Sequence, residues 1–196
     1  IAGRIAGQIA GAIANAQLFD DAKRAEDTVR ASERTQRRLS HENAVIAEIG
    51  RIITASLDID TIYDRFAEEV KKLIDFDRIV VNLIDHERST LAIAYVSGIE
   101  VPDRARGARL SIGEFAEEVV RTRSGVIFQP EDETQLNLRY PVLGPVYRAG
   151  IRSFLTVPLI SNDETIGVMH LHSARSNAYS EQDLALASRV ADQIAG

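Results

Sequence analysis

The sequence predicts an α+β domain entered through one long helix, on three observations. Residues 12–49 hold neither Gly nor Pro, and the first proline is Pro102, so nothing breaks a helix across that stretch. Beyond it, short runs of β-branched and apolar residues alternate with polar turns, the mark of hairpins. Last, Ser180-Glu181-Gln182-Asp183 resembles a capping box with Asp in place of Glu, opening a final helix.

The long helix carries a heptad seam. Leu18, Ala22, Ala25, Val29, Ser32, Gln36, Leu39, Asn43, Ile46, Gly50 and Ile53 follow one another in unbroken steps of four and three. Lys23, Arg24, Glu26, Asp27, Arg30, Glu33, Arg34, Arg37 and Arg38 lie between them as a solvated face. The seam is thin, with small Ala22, Ala25 and Gly50 and polar Ser32, Gln36 and Asn43. A lone helix with so little apolar surface is unstable, so the spacing predicts a parallel homodimer. The alternative is a solvated connector helix.

The elements that follow read in order. A helical stripe runs over Asp58 to Ile74, with Asp58 or Asp60 as N-cap. Strands are predicted at Arg78–Ile84 and Leu91–Val96, joined by the turn at residues 85–89. Glu114–Thr122 is a short helix and Gly125–Gln129 a short strand. Residues 130–150, with Pro130, Pro141, Gly144, Pro145 and Gly150, are predicted as a long loop with one short helix. Strands at Ile151–Ile160 and Thr165–Ser173 turn at residues 161–164, and the last helix runs to the end.

Residues 189–196 (RVADQIAG) resemble residues 4–11 (RIAGQIAG). This internal similarity predicts that residues 1–16 are the closing helix of a preceding domain of the same type. Residues 17–55 are then a coiled-coil linker, and 56–196 the domain proper. Gly3, Gly7 and Gly11 lie one turn apart as a small-residue strip, and Arg4 and Gln8 argue for packing in water rather than in a membrane. The chain begins and ends in helical composition and reads as a piece of a larger protein.

Composition narrows the classes. A net charge of −6 argues against a nucleic-acid or anionic-membrane surface. The absence of cysteine removes thiol catalysis, disulfides and cysteine-ligated metal, and fits a cytoplasmic setting. No run of 18 apolar residues predicts a membrane span.

LDIDTIYDRFAEEVKKLI at 57–74 with DFDRIVVNLID at 75–85 resembles the opening helix and first strand of GAF domains. Residues 151–195, with VPL at 157–159, IGV at 166–168 and SEQDL at 180–184, look like that family's closing strand, hairpin and helix. The resemblance implies a central antiparallel sheet with helices on one face, and long loops and short helices over a ligand pocket on the other (GAF/PAS-like). It implies a cytoplasmic sensory module that binds a small molecule and passes its state through helical linkers to an output domain in cis, a histidine kinase being the expected parent, with cyclases and diguanylate cyclases left open. A ligand-free dimerisation or spacer domain is the alternative. The ligand is unknown. Members that hold bilin covalently, and the methionine sulfoxide reductase branch, use cysteines that this chain lacks. The Asn-Lys, Phe and Asp-Glu signature of cyclic-nucleotide-binding members has no counterpart here.

The residues expected to line the pocket are Asn82, Tyr140, Tyr147, Phe154 and His170. Asn82 is polar within an apolar strand, and a buried amide needs partners. His170 and His172 project from one strand face at i and i+2. They read either as a metal or haem pair, or as one pocket histidine and one strand-end histidine in solvent. Tyr140, Tyr147 and Arg148 lie in the covering segment, where they contact a ligand or pin the segment to the sheet. Arg104, Arg106 and Arg109 read as a solvated basic loop, with an anion site as the alternative. No catalytic set stands out, so enzymatic activity is not expected.

Overall fold

The computed structural model describes the backbone of residues 2–54 and 59–195, and the side chains of residues 23–52 and 64–195. It divides into two compact units, residues 1–44 and 45–196. Helix α1 spans Ala2–Thr54. In the first unit, side chains from Lys23 to His41 are exposed. Arg30 pairs with Glu26 one turn back at 2.5 Å. Such an exposed pair contributes a few tenths of a kcal/mol, about 0.3–0.5. The proposed equivalence of residues 1–16 and 184–196, and the seam positions Leu18, Ala22 and Ile53, rest on side chains outside those described.

The second unit contains α2 (Ile59–Leu73), β1 (Arg78–Asp85), β2 (Thr90–Gly98), β3 (Arg109–Ser111), α3 (Glu114–Thr122) and β4 (Val126–Phe128). There follow α4 (Glu133–Arg139), a 3-10 turn (Pro141–Leu143), α5 (Gly144–Arg148), β5 (Ser153–Ser161), β6 (Glu164–Ser173) and α6 (Glu181–Ala195). The strands form one antiparallel sheet in the order β3-β2-β1-β6-β5-β4.

Strand alternation sends successive side chains to opposite faces. Leu155, Val157, Leu159, Met169, Leu171, Ile79 and Val81 face one way. There they meet Phe66 and Val70 of α2, Leu186 and Val190 of α6, and Val45, Ile46 and Ile49 of α1. The last turns of α1 therefore belong to the domain core, and seam position Ile46 packs within its own chain. Gly50 lies against the side chain of Gln193, where a Cβ would collide.

The opposite face carries a second apolar cluster, which includes Val101, Phe115, Phe128, Leu136, Leu143, Val146, Ile151 and Phe154. Here the segment 129–150 is more ordered than its Pro and Gly content predicts. It folds into two short helices and a 3-10 turn rather than one helix. Asp132 accepts from the Gln135 N–H at 2.8 Å and caps α4. The capping box of α6 forms as expected, with Asp183 accepting from the Ser180 N–H at 2.8 Å and Ser180 accepting from the Asp183 N–H at 3.4 Å.

Two register shifts shape the sheet, one between Leu159 and Ile160 where β5 meets β6 and one between Val81 and Asn82 where β1 meets β2. Val81 pairs with Tyr95 but Asn82 pairs with Ile93, leaving Ala94 as an extra residue in β2. The bulge lets Tyr95 enter the cluster under α2 while Ile93, two positions away, faces the other side. Strand β3 has no counterpart in the predicted elements. It is three residues long and is tied down by Arg109, which donates to Asp85 at 2.8 Å.

Candidate functional site

The central strands place a polar group in the middle of the covered face. His170 on β6 stands directly opposite Val80 of β1 and Thr156 of β5, and His172 opposite Arg78 and Phe154. The Nε2 of His170 lies 3.0 Å from the Asn82 amide nitrogen, and its Nδ1 lies 2.7 Å from the Thr156 hydroxyl. With the amide nitrogen donating to Nε2, Nδ1 carries the proton and donates to Thr156. Burial, then the positive charges of Arg104 and Arg78, push the His170 imidazole down to about 3. It is neutral at any physiological pH.

His172 departs from the sequence reading. It is 4% exposed and lies against the Phe154 ring, edge to face, with centroids 5.3 Å apart. A strand-end position in solvent does not describe it. Both of its ring nitrogens lack a hydrogen-bond partner, as does the side-chain oxygen of Asn82. Burial, then the neighbouring His170, holds its pKa well below the usual histidine value.

Arg78, at the start of β1, is 2% exposed. Its guanidinium donates to the carbonyl of Ile99 and, at 2.9 Å, to that of Arg104. Arg104 in turn donates to the carbonyl of Val142 at 2.7 Å. Burial, with Arg104 beside it, pushes Arg78 down to about 10. Burial also lowers Arg104. The loop holding Arg104 is thus not simply a solvated basic run, because this one arginine turns inward and bridges β1 to the segment under α5.

Between these groups lie two small cavities of about 40 Å³ each. Asn82, Arg104, His170, Leu110 and Leu143 line both, and Arg78 and His172 line the first. Two larger open clefts, of about 770 Å³ and 580 Å³, flank the loop at residues 99–108. Arg104 lines these as well, and so stands between the outer clefts and the buried polar group.

Of the five predicted pocket residues, Asn82 and His170 line the small cavities. Tyr140, Tyr147 and Phe154 do not. Tyr140 lies between Phe115 and Phe128, at 4.7 Å and 4.8 Å between centroids, and its hydroxyl donates to Glu118. Burial, together with that bond, raises its pKa to about 12. Tyr147 lies under the Arg152 guanidinium at 4.2 Å. Tyr140 and Tyr147 belong to the cover and pack with Phe154 of β5 in the second apolar cluster. Sequence reasoning missed Arg78 and Thr156 as site residues. The available signal was strand parity: Arg78 shares its face with Val80 and Asn82, and Thr156 shares its face with Phe154.

Among the described residues there is no cluster of three or more His, Cys, Asp or Glu side chains suited to a metal ion. Nor is any helix of the described residues long and apolar enough to cross a membrane.

Comparison with known proteins places this arrangement. The chain is similar to the DNA-binding transcriptional activator HyfR of Escherichia coli, 25% identical over 153 residues that cover 77% of this chain and 23% of HyfR. It is also similar to the formate hydrogenlyase transcriptional activator FhlA of the same organism, 20% identical over 77% of this chain and 22% of FhlA. The chain therefore spans less than a quarter of the length of these relatives. The GAF domain of a two-component sensor histidine kinase from Bacillus halodurans matches in fold, with a TM-score of 0.57, 20% identity, and coverage of 71% of this chain and 92% of that one. The free methionine-R-sulfoxide reductase of Neisseria meningitidis also shares the fold, with a TM-score of 0.59 at 16% identity, covering 79% of this chain and 86% of that one. The sequence profile of the GAF domain matches residues 56–196, more than half of the chain, and the chain belongs to the GAF domain family.

Proposed function

We propose that this chain is a sensory module in which a small molecule bound beneath α5 biases the helices leading to an output domain in the same polypeptide. One observation carries the reading. Asn82, His170, His172 and Arg78 are buried together on sheet positions that ordinary core residues would fill, and three of their polar atoms are unpartnered. Buried polar groups without partners are rare unless a ligand or water completes them. GAF domains are regulatory small-molecule-sensing modules of signalling proteins, and the relatives are transcriptional activators. Those relatives widen the expected output from a histidine kinase to include transcriptional regulation.

The transmitting element is α1. Val45, Ile46 and Ile49 are part of the core formed with α6, so a change in the core reaches that helix directly. In the other unit, the seam residues Val29 and Leu39 are 57% and 45% exposed, which supports a second copy of the chain as the partner along residues 25–43.

The small volume of the inner cavities supports a second reading, a dimerisation and spacer domain that takes no ligand. Native mass spectrometry of freshly purified protein separates the two, together with cross-linking of Ser32→Cys and Leu39→Cys variants. Retained or added ligand that changes the cross-linking yield supports sensing. Tight binding with unchanged cross-linking refutes transmission through α1.

A further inference from the structure

We infer that residues 99–108 form a strap that opens independently of the rest of the domain, with Arg104 as its latch, and that this strap rather than the 129–150 cover is the entrance to the buried polar group. The role of entrance rests on the sensory reading. The opening itself is a property of the chain and is measured without a ligand.

Geometry singles out Arg104. Each inner cavity has a volume of about 40 Å³. That is room for about three water-sized particles, so any larger molecule requires a wall to move. Arg104 is the side chain shared by both inner cavities and by the outer clefts of about 770 Å³ and 580 Å³. Its guanidinium donates to the Val142 carbonyl at 2.7 Å and so ties the strap to the 3-10 turn at Pro141–Leu143. Withdrawing this one side chain joins the inner space to the outer clefts. The strap is also built to swing. Left-handed glycines lie near its two ends, Gly98 at φ +96° and Gly107 at φ +83°. The surroundings of Gly107 are open for 4 Å around the place of a Cβ. Between these glycines Glu100, Pro102, Asp103, Ala105 and Arg106 are exposed, and Val101 is the one buried residue. At the hinges, the Ile99 N–H donates to the Asp77 carbonyl at 3.0 Å and the Gly107 N–H to the Ile93 carbonyl at 2.8 Å.

The relative cost of opening decides which covering part moves. Lifting the 129–150 cover brings Leu136, Tyr140, Leu143 and Val146 into water, all of them at most 5% exposed in the closed domain. Water gives nothing back for that apolar area. Lifting the strap uncovers one apolar side chain, Val101. The other contacts it breaks are hydrogen bonds from the Arg78 and Arg104 guanidinium groups to main-chain carbonyls. Water replaces those bonds on both sides, and the Arg104 guanidinium regains hydration that burial had removed. The strap is therefore the part of the covered face that opens at least cost, and the latch is polar where the cover is apolar.

The experiment uses the whole chain, which lacks cysteine, so a single introduced thiol reports local opening without background. Val80→Cys places the thiol at the wall of an inner cavity, Leu136→Cys beneath the cover, and Val190→Cys in the cluster under α6, all at positions at most 4% exposed. The probe is an aromatic disulfide reagent larger than the inner cavities. Its labelling rate is compared with the rate that each variant's own stability, from urea unfolding, allows through global unfolding. Val80→Cys should label at least about tenfold faster than that limit, and Leu136→Cys and Val190→Cys only at it. Adding Arg104→Gln should raise the excess at Val80→Cys at least about tenfold more, and Arg104→Lys, which still donates to a carbonyl, by less. The comparison of the three thiols with Arg104 in place does not depend on an Arg104 variant folding. Labelling of Val80→Cys through global unfolding alone overturns the strap, as does an excess that a folded Arg104→Gln protein leaves unchanged. An equal excess at Leu136→Cys assigns the opening to the cover and overturns it too. Each of these results leaves the sensory reading standing, because labelling involves no ligand. A co-purified molecule that leaves the cross-linking yield at Ser32→Cys and Leu39→Cys unchanged refutes the sensory reading, while the labelling excess still upholds the strap.

Discussion

Thr156 and His170 face each other across β5 and β6, with the hydroxyl oxygen 2.7 Å from Nδ1, and this pair sets the buried imidazole in place from the strand side. Asn82 holds the ring's other nitrogen at 3.0 Å. A neutral imidazole satisfied at both ends is a structural anchor whose proton count stays constant while the domain is folded.

That anchor makes stability depend on pH. His170 and His172 both have folded pKa values below their unfolded value, the first at about 3. Below about pH 6.5 the unfolded chain takes up protons that the folded chain refuses. Stability should therefore fall as pH drops from about 6.5, by roughly 1.4 kcal/mol per pH unit for each imidazole. Urea unfolding at pH 7.5, 6.5 and 5.5 measures this. His172→Phe, which keeps an aromatic ring against Phe154, should remove about half of the slope. Asp77, held below the usual carboxylate range by the Ala174 N–H, adds its loss only below about pH 4.

Tyr140 offers a test of the cover. Tyr140→Ala removes a ring packed between Phe115 and Phe128 and should cost about 3–5 kcal/mol. Tyr140→Phe keeps the ring and loses only the bond to Glu118, at about 1 kcal/mol. Neither residue lines the inner cavities, so Tyr140→Phe should leave ligand affinity within about twofold, a difference of roughly 0.4 kcal/mol. A large loss of affinity in that variant would place the hydroxyl at the ligand.

Gly98 ends β2 with φ at +96°, and a Cβ there would run into the main-chain oxygen of Asp77. Gly98→Ala should destabilise the domain by about 1–3 kcal/mol, since the obstacle is backbone and cannot swing aside. The loop at residues 99–108 that carries Arg104 starts at this turn, so ligand affinity should fall with it. Chemical unfolding read beside calorimetry checks both effects.

The dimer seam is tested by Val29→Asp with Leu39→Asp. Both positions are exposed in the single chain, so the folding of residues 45–196 should be unchanged. Sedimentation should shift from dimer to monomer at micromolar concentration, because a like-charge pair replaces each apolar layer. Dimerisation that survives both changes assigns the contact to another surface.

How far the sequence reached depends on whether the controlling forces were local. Helix α3 falls on the predicted residues, and the strands at β1, β2, β5 and β6 fall within about two residues of theirs, because period-two alternation and turn chemistry are written residue by residue. The α6 cap was legible for the same reason, being four consecutive residues. Strand β3 was not, since three residues hold no periodicity and its place depends on Asp85, 24 positions away. The 129–150 segment combines a local signal, the Asp132 cap of α4, with the packing of Leu136, Tyr140, Leu143 and Val146 in the second apolar cluster, and only the first is written in consecutive residues.

The site divides in the same way. From the sequence alone came the family resemblance, the shared face of His170 and His172, and the oddity of Asn82 in an apolar strand. The tertiary structure alone decided which residues meet. Strand register set Arg78, His172 and Phe154 in one row, and Arg104 turned inward to the Val142 carbonyl while Arg109 stayed at the surface. It also turned Tyr140 and Tyr147 into supports of the cover. Burial of a charge is a property of everything packed around it, and no stretch of chain around Arg78 or Arg104 records that each lacks a carboxylate partner.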